Sequence, residues 1–94
     1  MYVIIFYFRN KIINFFFKQQ VVIYYVYLIK SIKYTEYTYV GKTIDLKQRL
    51  KTYNSGGSIH TKKHRPWELV LFLGFADKFK ATAFEKYLKS HSDR

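Results

Sequence analysis

The apolar and polar positions along the chain fall into runs that suit strands and spacings that suit helices. Val21 to Ile29 is an unbroken series of β-branched, aromatic and aliphatic side chains. A run of that length with no polar face predicts a strand buried on both sides, and so the centre of a sheet. Lys30 to Glu36 is polar enough to be a connection, although it has no Asn-Gly or similar pair to define a turn. Tyr37 to Gly41 then reads as a second strand. Side chains on a strand alternate between faces, so Tyr25 and Tyr27 share one side, as do Tyr37 and Tyr39. Pairing Tyr27 opposite Tyr39 centres the turn near Lys33 and brings both hydroxyls to one side of the sheet.

The period then changes to that of a helix. Leu46, Leu50 and Tyr53 form an apolar stripe, with Arg49 on its flank. Thr43 or Asp45 can cap the start, Asp45 with Gln48 in the spacing of a capping box, and Asn54-Ser55-Gly56-Gly57 supplies the stop. Ser58 to Arg65 reads as a loop, Pro66-Trp67 leads into a third strand over Glu68 to Phe75, and Asp77 caps a last helix. That helix presents Ala81, Phe84 and Leu88 inward, with Glu85 beside the stripe and Ser90 to Arg94 expected to fray. The elements fit an α+β fold, a three-stranded antiparallel sheet flanked by helices, in one domain over residues 21–94.

Residues 1–20 form an extension. Its longest apolar run, Tyr2 to Phe8, is far short of the ~20 residues that span a bilayer, and it has neither the basic start nor the small-residue site of a signal peptide. On a helix, Lys11, Asn14 and Lys18 would lie opposite Ile5, Phe8, Ile12 and Phe16. This basic amphipathic pattern suits a helix on an anionic membrane or a partner; the plainer reading, an extension that packs on the domain or is disordered, is favoured over it.

Charge narrows the partner. A formal +11 on 94 residues favours a polyanionic partner, either nucleic acid or an acidic membrane face, although merely soluble basic proteins share that feature. With no cysteine there is neither a disulfide framework nor a thiolate metal site, and a reducing, cytoplasmic setting is compatible. His60 and His64 lack a third ligand at a suitable spacing for zinc. The cations around them, Lys62, Lys63 and Arg65, suit contact with phosphates or plain solvation.

The series Tyr25-Val26-Tyr27, Tyr39-Val40-Gly41, Arg49, Asn54-Ser55-Gly56, Arg65-Pro66-Trp67-Glu68-Leu69-Val70 and Glu85-Lys86-Tyr87-Leu88-Lys89 resembles the GIY-YIG endonucleases, especially their small stand-alone members. The resemblance covers roughly residues 23–90, and its segments agree in order. Tyr25 stands in the glycine place of the first motif. Tyr53 stands where those small members often carry histidine; other branches, the UvrC nuclease domain among them, have tyrosine there.

The resemblance implies the same fold and metal-dependent cleavage of DNA, structure-selective or weakly specific, with a place in DNA repair; RNA is a second candidate substrate. It implies Tyr27 as general base with Tyr39 as its partner, an order the sequence leaves open, and Arg49 on the scissile phosphate. Tyr53 completes the site, and Glu85 holds one divalent ion, Mg²⁺ or Mn²⁺. A phenol ionises near pH ~10, so a tyrosine base needs a neighbouring cation; Lys42, directly after the second motif, is the expected one. Asn54, with Lys62, Lys63 and Arg65, is a candidate nucleic-acid contact, and a helix-end cap otherwise. Other readings stand beside these. Most of ten tyrosines in so small a domain belong to the core, and Glu85 with Lys89 is also an ordinary i,i+4 pair. The alternatives for the whole chain are a binding module of this fold that does not cut, and a peripheral membrane or partner-binding protein acting through residues 1–20.

Overall fold

The computed structural model describes residues 22–92; the amphipathic pattern of residues 1–20 lies outside the described residues. Three strands form one antiparallel sheet in the order β2-β1-β3. They are β1 (Tyr24–Ser31), β2 (Thr38–Thr43) and β3 (Trp67–Phe75). The unbroken apolar run is therefore central, as its lack of a polar face requires. Val26, Tyr27 and Ile29 are completely buried in it.

Helix α1 (Leu46–Ser55) follows β2, and α2 (Lys78–Ser92) follows β3. The local signals act as their chemistry dictates. Asp45 Oδ1 accepts from the Gln48 backbone N–H at 3.1 Å. Gly56 closes α1 at φ 84°, a left-handed conformation natural to glycine. Asp77 Oδ1 accepts from the N–H groups of Phe79 and Lys80 at the start of α2.

The two helices cover opposite faces of the sheet. On one, Tyr27, Ile29, Tyr53 and Trp67 form a core with Leu46, Leu50 and Leu69. On the other, Val26, Val40 and Ala81 pack with Leu28, Phe75, Phe84 and Leu88. Alternate residues of β1 thus supply the two cores.

Several boundaries and the hairpin register differ from expectation. β1 starts at Tyr24 and continues through Lys30 and Ser31, because Lys30 still pairs with Thr38 and Glu68, and Ser31 with Trp67. β2 extends past Gly41 to Thr43. Tyr27 pairs with Gly41 and Ile29 with Tyr39, so the register is displaced by two residues from a direct Tyr27–Tyr39 pair. An even displacement preserves the faces, and the two tyrosines remain on one side. Finally, α2 runs through Ser92 instead of fraying at Ser90, its last turn held by Ser90 Oγ donating to the Tyr87 carbonyl at 2.9 Å. The Ser58 to Arg65 loop carries a short 3₁₀ turn, Lys62–His64. Among the described residues no helix is long and apolar enough to cross a membrane.

Candidate active site

The α1 face of the sheet contains more hydroxyl than a core of its size needs. Tyr27 points into it from β1 and Tyr53 from the inner stripe of α1. Their phenol oxygens are 2.7 Å apart, one donating to the other, with the rings edge to face at 6.1 Å. Tyr27 is fully buried and Tyr53 almost so. Tyr39, on the edge strand β2, sets its ring against Tyr53 at 5.7 Å and 65°, yet remains 40% exposed. Trp67 closes the cluster behind Tyr53 at 6.4 Å.

Gly41 makes this arrangement possible. A Cβ there would collide with the Oη and Cζ of Tyr27, so the phenol lies over a gap that only glycine leaves. The requirement explains the glycine that ends the second motif, one the sequence reading used as a landmark without a structural role.

Charge enters from α1. The exposed Arg49 stands near enough to both buried phenols to favour their ionised forms. Desolvation outweighs it. Burial pushes the Tyr27 phenol above its ordinary value, against the lowering effects of the Tyr53 hydrogen bond and of Arg49. Burial first, and then the hydrogen bond with Tyr27, push Tyr53 up as well. Both are therefore neutral phenols at physiological pH.

Tyr27, Tyr39, Arg49 and Tyr53 are brought together; the other expected site residues are not in this cluster. Lys42 pairs with Val26 and, like Val26 and Val40, belongs to the α2 face. Its Nζ donates to Thr82 Oγ1 of α2 at 2.8 Å. The expectation that Lys42 is the cation beside the tyrosines is thus corrected: it follows Gly41 directly on a continuing strand and so points the other way, and Arg49 is the cation that bears on Tyr27.

Glu85 is three residues beyond Thr82 on α2, a helical neighbour of the position where Lys42 is anchored. Its side chain is 19% exposed and makes the i,i+4 ion pair with Lys89 at 3.3 Å. Among the described residues no three carboxylate or histidine groups gather into a metal cluster. The donor chemistry at Glu85 is a single hard carboxylate oxygen in a basic surrounding. A lone carboxylate of this kind suits only a divalent ion that keeps most of its coordination for water and substrate oxygens.

Asn54 is occupied structurally. Its Oδ1 accepts the Trp67 N–H at 2.6 Å and its Nδ2 donates to the Trp67 carbonyl at 3.1 Å, clamping the end of α1 to the start of β3. Asn54 itself stays exposed, and the helix end is closed by Gly56 instead of by its side chain. Lys62, Lys63 and Arg65 are exposed, with the Arg65 guanidinium lying over Gly56.

Comparison with known proteins agrees with this geometry. Residues 23–94 match the GIY-YIG catalytic domain. The chain is 41% identical over 73 residues to the structure-specific endonuclease subunit SLX1 of Candida dubliniensis, an alignment covering 70% of this chain and 26% of that protein. It is 34% identical over 77 residues to the SLX1 subunit of Malassezia globosa, covering 77% of this chain and 17% of that one. With the UPF0213 protein YazA of Bacillus subtilis it shares 44% identity over 52 residues, 54% of this chain and 52% of YazA. The chain spans about a quarter or less of the two SLX1 subunits and about half of YazA.

Proposed function

The chain belongs to the GIY-YIG catalytic-domain family, and from that premise we propose that it is a DNA endonuclease hydrolysing phosphodiester bonds with one divalent ion, Mg²⁺ or Mn²⁺. The observation that carries the proposal is the convergence of Tyr27, Tyr39, Tyr53 and Arg49 on one face of the sheet. Hydrolysis needs an acceptor for the proton of the attacking water, positive charge at the phosphate, and stabilisation of the leaving oxygen.

Arg49 binds the scissile phosphate, its forked donors matching two phosphate oxygens. Tyr39 is the phenol that meets solvent, and in its phenolate form it orients the attacking water and takes its proton, becoming the neutral phenol. The reverse order, with Tyr27 as base, is disfavoured because that phenol is fully buried and desolvation opposes its ionisation. Tyr27 and Tyr53 instead fix the wall against which Tyr39 and Arg49 are set, Tyr53 through its ring contact with Tyr39. Glu85 would hold the divalent ion, which when bound polarises the phosphate and offsets charge on the leaving oxygen. Arg49 and Glu85 belong to opposite faces of the sheet. A substrate lying along β2, an edge strand among the described residues, is reached by both.

SLX1 relatives are named as structure-specific endonucleases. Preference for branched DNA and a part in DNA repair follow as the biological form of the reaction, and the basic surface supplies general affinity for the backbone. The test is cleavage of supercoiled plasmid and of a branched duplex with Mg²⁺ or Mn²⁺, beside Glu85→Gln and an EDTA control. Metal-dependent cutting that disappears in Glu85→Gln is expected. Binding without cutting by the wild type would leave the non-cutting module as the reading.

A further inference from the structure

The tip of the β1–β2 hairpin and the basic loop before β3 meet in an aromatic group that the hydrolytic site does not use. The rings of Tyr37 and His64 are stacked, 4.0 Å apart and 21° from parallel. Tyr34 stands perpendicular to both, 5.3 Å from His64 and 6.4 Å from Tyr37. Lys33 lies over the Tyr34 ring at 5.7 Å. The Tyr34 side is 41% exposed and Tyr37 45% exposed, whereas Tyr27, Tyr53 and Trp67 are almost completely covered.

The group is held rigidly. The completely buried Ser31 hydroxyl donates to the His64 carbonyl at 2.6 Å and accepts the Tyr34 N–H at 2.9 Å. The Ile32 N–H reaches the Pro66 carbonyl, and the Tyr37 N–H the Tyr34 carbonyl, both at 2.9 Å. One buried hydroxyl therefore joins hairpin tip and loop. Lys33 lies on the Tyr34 ring, Lys62, Lys63 and Arg65 are exposed chain neighbours of His64, and Glu36 is the acidic residue on the tip.

We propose that Tyr34, Tyr37 and His64 form a stacking subsite for an unpaired DNA base next to the cleavage site. A planar base extends the Tyr37–His64 stack, and these cations take the adjoining phosphates. Tyr37 precedes Tyr39 by two residues and so stands about 7 Å from it along the strand direction, about two base steps of a DNA strand. The stacked base thus belongs to a nucleotide flanking the scissile phosphate. In an intact duplex each base is already covered on both faces by its neighbours; an unpaired base at a branch or flap has a face to offer. The subsite would thereby select branched over continuous duplex DNA. It rests on the reading of the chain as a DNA nuclease, and it supplies that reading with a source of structure selectivity.

The experiment uses the full chain in EDTA, so that binding is observed without cutting. The probe is 2-aminopurine, placed as the first unpaired base of a forked duplex or paired within a continuous one. Wild-type protein should quench the forked probe and leave the paired one unchanged. Tyr34→Ala and Tyr37→Ala should abolish the quenching and weaken fork binding roughly tenfold, with duplex binding within about twofold. Tyr37→Phe should retain both properties. Wild-type binding to the fork without quenching overturns the inference whatever the variants do, as does equal weakening on fork and duplex in a variant with an unchanged melting curve. Quenching by a protein that never cuts with Mg²⁺ or Mn²⁺ would uphold the subsite and reject the nuclease reading.

Discussion

The two faces of the sheet are built from alternate residues of the same strands, yet they carry different chemistry. The α2 face is the drier one: Val26, Val40 and Ala81 pack against aliphatic and aromatic neighbours, among which Tyr24 is a partly buried phenol and no hydroxyl belongs to the fully buried set. On the α1 face, Tyr27 and Tyr53 bring two phenols into the core and hold them to one another. A buried polar group lowers stability unless it is paired, so the α1 face keeps a constraint that the α2 face avoids. What it gains is a preset orientation for the groups at its rim. One face gathers the tyrosines and Arg49, and the other is built chiefly of packing side chains, with Glu85 on the helix that covers it; a one-residue step along β1 separates them.

The separation can be tested by substitutions that should affect only one face. The largest effect is expected at Arg49, an exposed side chain at the rim of the α1 face. Arg49→Ala should slow cleavage by about 10² to 10³-fold, the usual loss for one group stabilising transition-state charge, with stability within about 0.5 kcal/mol of wild type. Initial rates on a branched duplex beside a thermal melt check both halves. Gly41→Ala should affect both properties. Its methyl group must displace the Tyr27 phenol, which should destabilise by about 1–3 kcal/mol and slow cleavage well below the melting midpoint. Normal activity in that variant would show that the position of Tyr27 is irrelevant to the site.

Val26→Ala is the corresponding test of the drier face. It should lower stability by about 2 kcal/mol, a fall in Tm of roughly 10 °C in a domain of this size, while activity per folded molecule at low temperature stays as in wild type. The smallest effect is expected for Tyr53→Phe, about 1 kcal/mol from the lost hydrogen bond, together with a change in pH response. Both phenols are raised above their ordinary value when folded. Their contribution is therefore complete below pH ~10 and lost as the pH rises above it, because the unfolded chain releases those protons first. Removing one of the two should make the alkaline loss of stability shallower, as denaturant melts between pH 9 and 11 would reveal.

How far these features could be read from the sequence depended on their range. Asp45, Gly56 and Asp77 act within one turn of chain, and their roles were legible from residue type and spacing. The inward stripe of Ala81, Phe84 and Leu88 is likewise a local period. The hairpin register was less legible, because residues 31–37 carry no turn pair that fixes it; the pairing came out two residues away, and parity alone kept Tyr27 and Tyr39 together. Lys42 was misplaced for want of the same parity argument, since extending β2 past Gly41 puts it on the far side. The clamp from Asn54 to Trp67 and the link from Ser31 to His64 had no periodic signature at all. Each is a side chain bonded to backbone distant in sequence, which only the assembled fold brings within reach.

The order of the strands also affects how the molecule is assembled. β1 pairs with β2 across a short connection, but with β3 only after α1 and the basic loop have been passed. A contact between segments far apart in the chain forms more slowly than a local one. The hairpin and α1, which contain every tyrosine of the site, can therefore associate early, while the second edge of β1 waits for the segment from Trp67 to Phe75. During synthesis the ribosome would release the tyrosines and Arg49 first, then the strand that secures them, and last the helix that carries Glu85, so hydrolytic competence should appear late, as the domain closes.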